Sequence, residues 1–313
     1  MVNGKYKKFL LFSLLLLCLL SFIRYSDNID YWIIDILSHF SVQYAFLSLL
    51  LFSICIWKRI KLQAMLAGFL FVFNISSIVD LSNSIQAAQQ TERAFKVYSA
   101  NINRFNKDFS KLNYELQETD PDIVLLLEVT PGHFSQLHSI MQTFPHHIER
   151  LSMGTYGFGI VLLSKFPVLE HRVIKLSEIG NAILEATLEV NQQTVVFYGV
   201  HFQSPVFIQK FVERKKQFLW LAHQINQKTE PVIVAGDFNS TPFSPLFQQL
   251  LKISDLKDSR KGFGWQPSWP AFLPFFWLPI DHILVSPEIQ VHNRTTGSFI
   301  GSDHYPVFAE LSI

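Results

Sequence analysis

The chain has 313 residues, with 26 Lys and Arg against 25 Asp and Glu and a formal charge of +1. Seven of the basic and four of the acidic residues precede Thr91, so the remainder holds 19 basic and 21 acidic groups. That balance argues against the broad positive field of a general nucleic-acid binder and leaves room only for a local basic groove, and confinement of Cys18 and Cys55 to apolar stretches excludes a disulfide framework or thiolate zinc site downstream.

Hydrophobic residues make up 49% of the chain and crowd its start. Residues 9–23, 40–57 and 62–79 are uncharged stretches of 15, 18 and 18 residues. At about 1.5 Å rise per residue, the latter two nearly cross a hydrocarbon core of about 30 Å. The first follows Lys5, Lys7 and Lys8, as a signal peptide would. It is followed by Ser21, Phe22, Ile23 and Arg24 rather than a small-x-small cleavage site, and Leu17 before Cys18 argues against a lipoprotein signal. It is therefore expected to be a retained first span.

Lys58, Arg59 and Lys61 fill the turn between the second and third stretches, whereas the 24–39 connection holds Asp27, Asp30 and Asp35 beside a single Arg24. The positive-inside rule puts the N-terminus and the 58–61 turn in the cytoplasm and everything after residue 79 outside. If 62–79 is instead interfacial or re-entrant, the rest of the chain stays in the cytoplasm. Residues 81–96 are polar and rich in Gln and Ser, and read as a stalk. The expected organisation is a membrane region at 1–80, a linker at 81–93 and a globular domain at 94–313.

Within that domain, 95–101 alternates like a strand, 107–119 is helical up to Pro121, and 123–128 is a run of aliphatics ending in Glu128. Strands are also expected at 159–164, 182–190, 194–200, 232–236, 282–285 and 307–311. Residues 207–227 form the strongest amphipathic helix, with Phe207, Phe211, Phe218, Leu221 and Ile225 inward and Glu213, Arg214, Lys215 and Lys216 outward. Many strands with helices between only some of them suggest two packed sheets with helices outside.

Three motifs carry chemistry. Gly236-Asp237-Phe238-Asn239-Ser240-Thr241-Pro242 follows a buried strand. Asp237 and Asn239 lie two apart on extended chain, so they share a face, where they could hold a water nucleophile and a phosphoryl oxygen. The plain alternative is an Asx-turn. Ser302-Asp303-His304-Tyr305-Pro306-Val307 leads into the last strand, and an Asp beside a His can fix the imidazole tautomer; a simple polar turn is the alternative. Glu128 at the mouth of a buried strand needs a metal or a counterion to offset its desolvation. Mg²⁺ suits a site with one or two carboxylates plus water and phosphate oxygens.

Asn101, Glu128, His201, Asp237, Asn239, Asp281, Asp303 and His304 each fall close to an expected strand end. This ordered series resembles the endonuclease/exonuclease/phosphatase superfamily, which includes deoxyribonuclease I, neutral sphingomyelinases and inositol polyphosphate 5-phosphatases. The likeness runs from Val97-Tyr98-Ser99-Ala100-Asn101-Ile102-Asn103 to the end. It includes Gly159-Ile160-Val161-Leu162-Leu163-Ser164-Lys165-Phe166-Pro167, Gly199-Val200-His201-Phe202 and Ile280-Asp281-His282-Ile283-Leu284-Val285.

The resemblance implies an α/β fold, a four-layer α/β/β/α sandwich, here preceded by an all-α transmembrane region. It implies a phosphoesterase using Mg²⁺, with Mn²⁺ as the alternative, and metal contacts through Glu128, Asn101 and Asp303. It also implies catalytic roles for Asp237 with the attacking water, Asn239 and His201 at phosphoryl oxygens, His304 in phosphate contact or proton transfer, and Asp281 in support. Leu127 stands where many relatives have Gln, and Tyr156 is the candidate for a tyrosine that some members supply mid-chain.

Three spans followed by such a domain also resemble bacterial membrane proteins linked to teicoplanin resistance, thought to act on a polyprenyl pyrophosphate. That implies a multi-pass protein of the bacterial inner membrane with its catalytic domain outside. Residues 263–279 hold three Trp, four Phe and no Lys or Arg. Such a loop could enter a lipid interface or simply pack on the sandwich. A lipid-linked phosphate substrate is therefore expected first, nucleic acid for an exported nuclease second, and a non-catalytic membrane interaction protein last.

Overall fold

The computed structural model describes residues 4–26, 29–79, 94–150, 159–178 and 180–313. The linker at 81–93 and Tyr156 lie outside the described residues. Three apolar helices, α1 (Gly4–Phe22), α3 (Ser41–Trp57) and α4 (Lys61–Val79), pack on one another, and a short α2 (Trp32–Ser38) precedes α3. Leu10, Leu14 and Leu17 of α1 meet Tyr44, Leu51 and Cys55 of α3 and Ala64, Ala67 and Leu70 of α4. Small residues let the backbones approach, and Asn74 Nδ2 donates across the bundle to Ser21 Oγ at 2.8 Å.

The outward faces are as apolar as the inside: Phe9, Phe12, Leu15, Leu19, Phe46, Leu50, Leu62, Met65, Phe69 and Val72 are exposed. The segment Gly4–Tyr25 is long and apolar enough to cross a membrane. The α2–α3 pair, bent by 63°, makes a second if taken as one span, and Lys61–Ser76 is a shorter apolar helix.

The remainder folds into two six-stranded sheets. The first has the order β11 (Gln290–Thr296), β12 (Val307–Ser312), β1 (Phe95–Asn101), β2 (Ile123–Val129), β4 (Gly159–Ser164), β3 (His146–Arg150). In the second the order is β5 (Val168–Ile174), β6 (Ile183–Val190), β7 (Gln193–His201), β8 (Val232–Asp237), β10 (Asp281–Val285), β9 (Lys257–Asp258). Helices α5 (Ser110–Thr119) and α6 (Pro131–Met141) cover the first sheet, and α7 (Ile208–Ile225) and α8 (Pro245–Ser254) cover the second.

The aliphatic run of β2 follows from burial on both faces. Ile123, Leu125 and Leu127 enter the core between the sheets with Leu184, Phe197, Ile233 and Ile283, while Val124 and Leu126 face α5 and α6 with Leu112, Leu137 and Ile140. Each such side chain contributes about 1.5 to 3 kcal/mol by leaving water. The result is the four-layer α/β/β/α sandwich.

Two crossovers set the position of the site. β1 and β2 run parallel through α5, and β7 and β8 run parallel through α7. Their C-terminal ends therefore share one end of the sandwich. β10 and β12 are antiparallel to β8 and β1, so their N-terminal ends arrive there too.

The expected helix 207–227 is Ile208–Ile225, and its polar face differs from expectation. Glu213 and Arg214 are buried rather than turned outward, and Arg214 has no exposed surface. The 24–39 connection, expected as a loop, contains α2, which is seated on the sandwich. There, Arg214 of α7 donates to Asp35. Ser244 Oγ donates to Asp35 at 2.6 Å, and Trp32 Nε1 donates to the Pro205 carbonyl at 2.5 Å.

Candidate active site

Asp237 is the last residue of β8. Its register partners are His201 at the end of β7 and Asp281 at the start of β10, so three polar side chains form one row across the second sheet. The backbone turns at Gly236, where φ is +138° and a Cβ would lie 1.9 Å from the Val200 carbonyl oxygen. Only glycine fits there. The next residues alternate: Phe238 packs among Phe202, Phe218, Phe247 and His282, while Asp237 and Asn239 face the opposite way. Asn239 (φ +49°) donates its backbone N–H to Asp237 Oδ1 at 2.8 Å and its amide to Asp237 Oδ2 at 3.2 Å and the Phe202 carbonyl at 3.0 Å. The Asx-turn is therefore present in this motif, with both side chains on one face.

The first sheet supplies Asn101 and Glu128. Pairing of β2 with β4 slips between Leu127 and Val129, and Glu128 occupies the bulge at φ +61°. A bulge re-aims a side chain that would otherwise follow the strand's alternation. Asn101 Nδ2 bridges Glu128 Oε1 at 3.0 Å and Asp237 Oδ2 at 3.3 Å, joining the two sheets, and the Arg104 N–H donates to Glu128 Oε2 at 3.0 Å.

His304 reaches the row from the loop before β12. Its Nδ1 lies 2.8 Å from Asp281 Oδ2, and its Nε2 lies 3.9 Å from Asp237 Oδ2. His201 Nε2 lies 3.6 Å from Asp237 Oδ2 and 3.9 Å from Glu128 Oε1.

Asp303, the sequence neighbour, does not orient the ring. Its carboxylate accepts Asn103 Nδ2 at 2.7 Å and Trp269 Nε1 at 3.2 Å. Ser302 Oγ ties this loop to the Asn101 carbonyl at 2.7 Å. The structure thus brings Asn101, Glu128, His201, Asp237, Asn239, Asp281 and His304 together through direct contacts or close approaches, and links Asp303 through Asn103.

Sequence reasoning missed the supporting shell. Arg294 of β11 donates to the Asp281 carbonyl at 3.2 Å and to Gln266 at 2.7 Å. Ser268 Oγ accepts the Asp281 N–H at 3.0 Å. A cation in the edge strand and a Ser within the aromatic loop were the available signals.

Burial and crowding polarise the set. Burial, then the adjacent Asp281 charge, raise Asp237 to about 8. Burial lowers His201 to about 4, leaving a neutral ring. Burial works in the same direction on His304, but the Asp281 charge and hydrogen bond outweigh it and raise that ring to about 10.

One imidazole is therefore cationic and the other neutral at pH 7. Asp237, Asp281 and His304 each offer a ligand atom within 4.8 Å of the others. A protonated His304 repels a cation, so the oxygen-rich side around Glu128, Asn101 and Asp237 suits a hard divalent ion better. Burial and then the Asp281 charge disfavour the Asp237 carboxylate, and a bound cation would favour it.

The model of the endonuclease/exonuclease/phosphatase family matches residues 98–304. No curated protein matches the chain. Solved structures of similar fold include Danio rerio TDP2 complexed with a single-strand DNA product, with a TM-score of 0.60 and 18% identity over 71% of this chain and 100% of that one. A Beutenbergia cavernae endonuclease/exonuclease/phosphatase has a TM-score of 0.58 and 20% identity over 71% of this chain and 72% of that one. The Bacteroides thetaiotaomicron mannosyl-6-phosphatase Bt3783 has a TM-score of 0.56 and 18% identity over 70% of this chain and 100% of that one. With the family model covering two thirds of the chain and every site residue from Asn101 to His304, the chain belongs to the endonuclease/exonuclease/phosphatase family, whose members hydrolyse phosphoesters.

Proposed function

We propose that the protein is a membrane-anchored phosphoesterase whose catalytic domain, residues 94–313, cleaves a lipid-linked phosphate or pyrophosphate at the outer face of a bacterial inner membrane. A polyprenyl pyrophosphate is the substrate class it fits best. Residues 1–80 form the anchor, with α1, α3 and α4 as its spans, and 81–93 is the linker.

In this reading Asp237, held by Asn239 and Asn101, positions the attacking water and accepts its proton. The Asn239 amide contacts a phosphoryl oxygen. His304, kept cationic by Asp281, faces the charge that builds on the phosphoryl group, and neutral His201 donates a hydrogen bond to it. Glu128, oriented by Asn101 and the Arg104 N–H, would hold Mg²⁺ or Mn²⁺, with Asn101 and Asp303 as the further residues assigned to it. When bound, that ion supplies Lewis-acid stabilisation of phosphoryl oxygens.

The observation that carries the lipid reading is the tethering of two apolar loops to the membrane region. Val206, Phe207 and Ile208 are exposed just beyond β7, and Phe272, Leu273, Phe275 and Phe276 are exposed in the loop before β10. The first loop is tied to α2 through Trp32 and Pro205, and the second to α3 through Gln43 Nε2 and the Phe275 carbonyl at 3.1 Å. The second therefore lies level with the start of α3, where aromatic side chains favour the lipid boundary, and the first abuts the short helix that leads into it. An exported nuclease is the second reading, but the 263–279 loop carries no cation for a nucleic-acid backbone. Detergent-solubilised protein with Mg²⁺ should release phosphate from undecaprenyl pyrophosphate and leave plasmid DNA intact. DNA nicking without release from the lipid would refute the lipid reading.

A further inference from the structure

The buried charge of α7 connects the membrane region to the catalytic turn. Arg214 has no exposed surface, and its guanidinium donates one N–H to the Asp35 carboxylate of α2 and another to the Asn239 carbonyl. Asn239 in turn holds both oxygens of Asp237. Asp35 is itself buried, accepting from Ser244 Oγ at 2.6 Å, with His39 Nε2 at 3.5 Å. Burial works against its charge, but the Arg214 cation and the His39 and Ser244 contacts prevail and hold its carboxyl well below the usual range.

His39 lies four residues on, so it faces the same way as Asp35. Its Nδ1 lies 3.3 Å from the Thr241 N–H and 3.0 Å from Thr241 Oγ1. The segment from Asn239 to Ser244 is thus held through Arg214 at Asn239, by the C-cap residue His39 at Thr241 and by Asp35 of α2 at Ser244. A left-handed Asn needs outside support to persist, and here the support comes from across the membrane-to-domain boundary.

We propose that Asp35 is a positioning residue of the active site. It neutralises Arg214 and aims it at the Asn239 carbonyl, so that Asn239 and Asp237 keep their relative geometry. The membrane region then completes the catalytic turn as well as anchoring it. This inference rests on the assignment of Asp237 and Asn239 to the reaction.

Removing one partner of a buried ion pair destabilises through the stranded charge, whereas replacing both with apolar residues of similar volume is often neutral or stabilising. The test therefore pairs Asp35→Leu with Arg214→Met in the full-length, detergent-solubilised protein. Asp35→Asn, which keeps the volume and a contact for Ser244, serves as the second variant. Turnover of undecaprenyl pyrophosphate and bis(p-nitrophenyl) phosphate is followed alongside hydrogen exchange of residues 237–244.

A positioning role gives a double variant with a Tm at or above that of the wild type. Its kcat is lower by about tenfold or more, its KM stays within about twofold, and its 237–244 segment exchanges about tenfold faster. Asp35→Asn shifts kcat and exchange in the same direction. Wild-type kcat and wild-type exchange in both variants would overturn the inference. Asp237→Asn is run in parallel. If it retains full turnover, the site assignment has failed, and the exchange of 237–244 alone then decides whether Asp35 holds the turn.

Discussion

Asp281 and His304 lie 23 positions apart in the chain and meet at 2.8 Å, one from the start of β10 and the other from the loop before β12. The contact joins the two sheets at the end where β1, β2, β7 and β8 also terminate. It makes the imidazole a fixed cation beside the Asp237–Asn239 turn.

Replacing Asp281 with Asn removes the negative charge while keeping the shape. His304 then loses the largest of the influences that raise it to about 10, and burial moves it back toward its ordinary value near 6.5. Activity that needs the imidazolium is lost as pH rises through this value, so the alkaline limb of the kcat profile should move to lower pH. At pH 8 the variant should be slower by about 30-fold. An unchanged alkaline limb would show that the charge on His304 does not govern the reaction.

His282 offers a stability test away from turnover. It is fully buried with Nε2 2.8 Å from the Ser240 carbonyl, and burial lowers it to about 4. Its unfolded pKa is near 6.5, so the unfolded chain binds the extra proton in the window between. The stability that His282 contributes is complete above about pH 6.5 and is lost as pH falls toward about 4. The difference is on the order of 3 kcal/mol. Thermal melts of His282→Gln should therefore lose less stability than the wild type across that window; parallel curves would refute the assignment.

Gly236→Ala tests the backbone that places Asp237. A Cβ at φ +138° would sit 1.9 Å from the Val200 carbonyl oxygen, so β7 and β8 could not keep their register. A loss of about 3 kcal/mol or more is expected, read as a fall in Tm. An unchanged Tm would mean that the strands separate freely at this point.

The apolar loops should matter for a lipid and not for a soluble ester. Phe207→Ser with Phe275→Ser is expected to raise KM for undecaprenyl pyrophosphate in mixed micelles by about tenfold, with kcat/KM for bis(p-nitrophenyl) phosphate little changed. Equal losses on both substrates would assign these residues to packing instead.

Much of the sandwich was legible because buried strands are written as aliphatic runs: 123–128 and 232–236 could hardly be anything else. Edge strands were not. β5 (VLEHRVI) is mostly exposed and β11 (QVHNRTT) is largely half-buried or exposed, and their polar composition hides them.

The site residues were visible as polar groups at strand ends, but their pairing was not. In the bend before β12, Asp303 turns to Asn103 and Trp269 while His304 turns to the distant Asp281, a pairing that no local periodicity shows. Arg214 could have been found. It lies three residues after Phe211 and four before Phe218, on the core face of α7, where an unpaired cation is untenable. Its partner Asp35 belongs to a seven-residue helix too short to show a period.

The most direct measurement is metal-dependent turnover by the full-length protein compared with Glu128→Gln. Glu128 is the carboxylate that a bulge turns into the site, and the substitution preserves its size and its contact with Asn101. The wild type should cleave its phosphoester in Mg²⁺ and stop in EDTA. Glu128→Gln should fold with an unchanged Tm, require a higher Mg²⁺ concentration and turn over about 10²-fold more slowly. Wild-type turnover and wild-type Mg²⁺ dependence in the variant would contradict a metal-assisted phosphoesterase centred on this cluster.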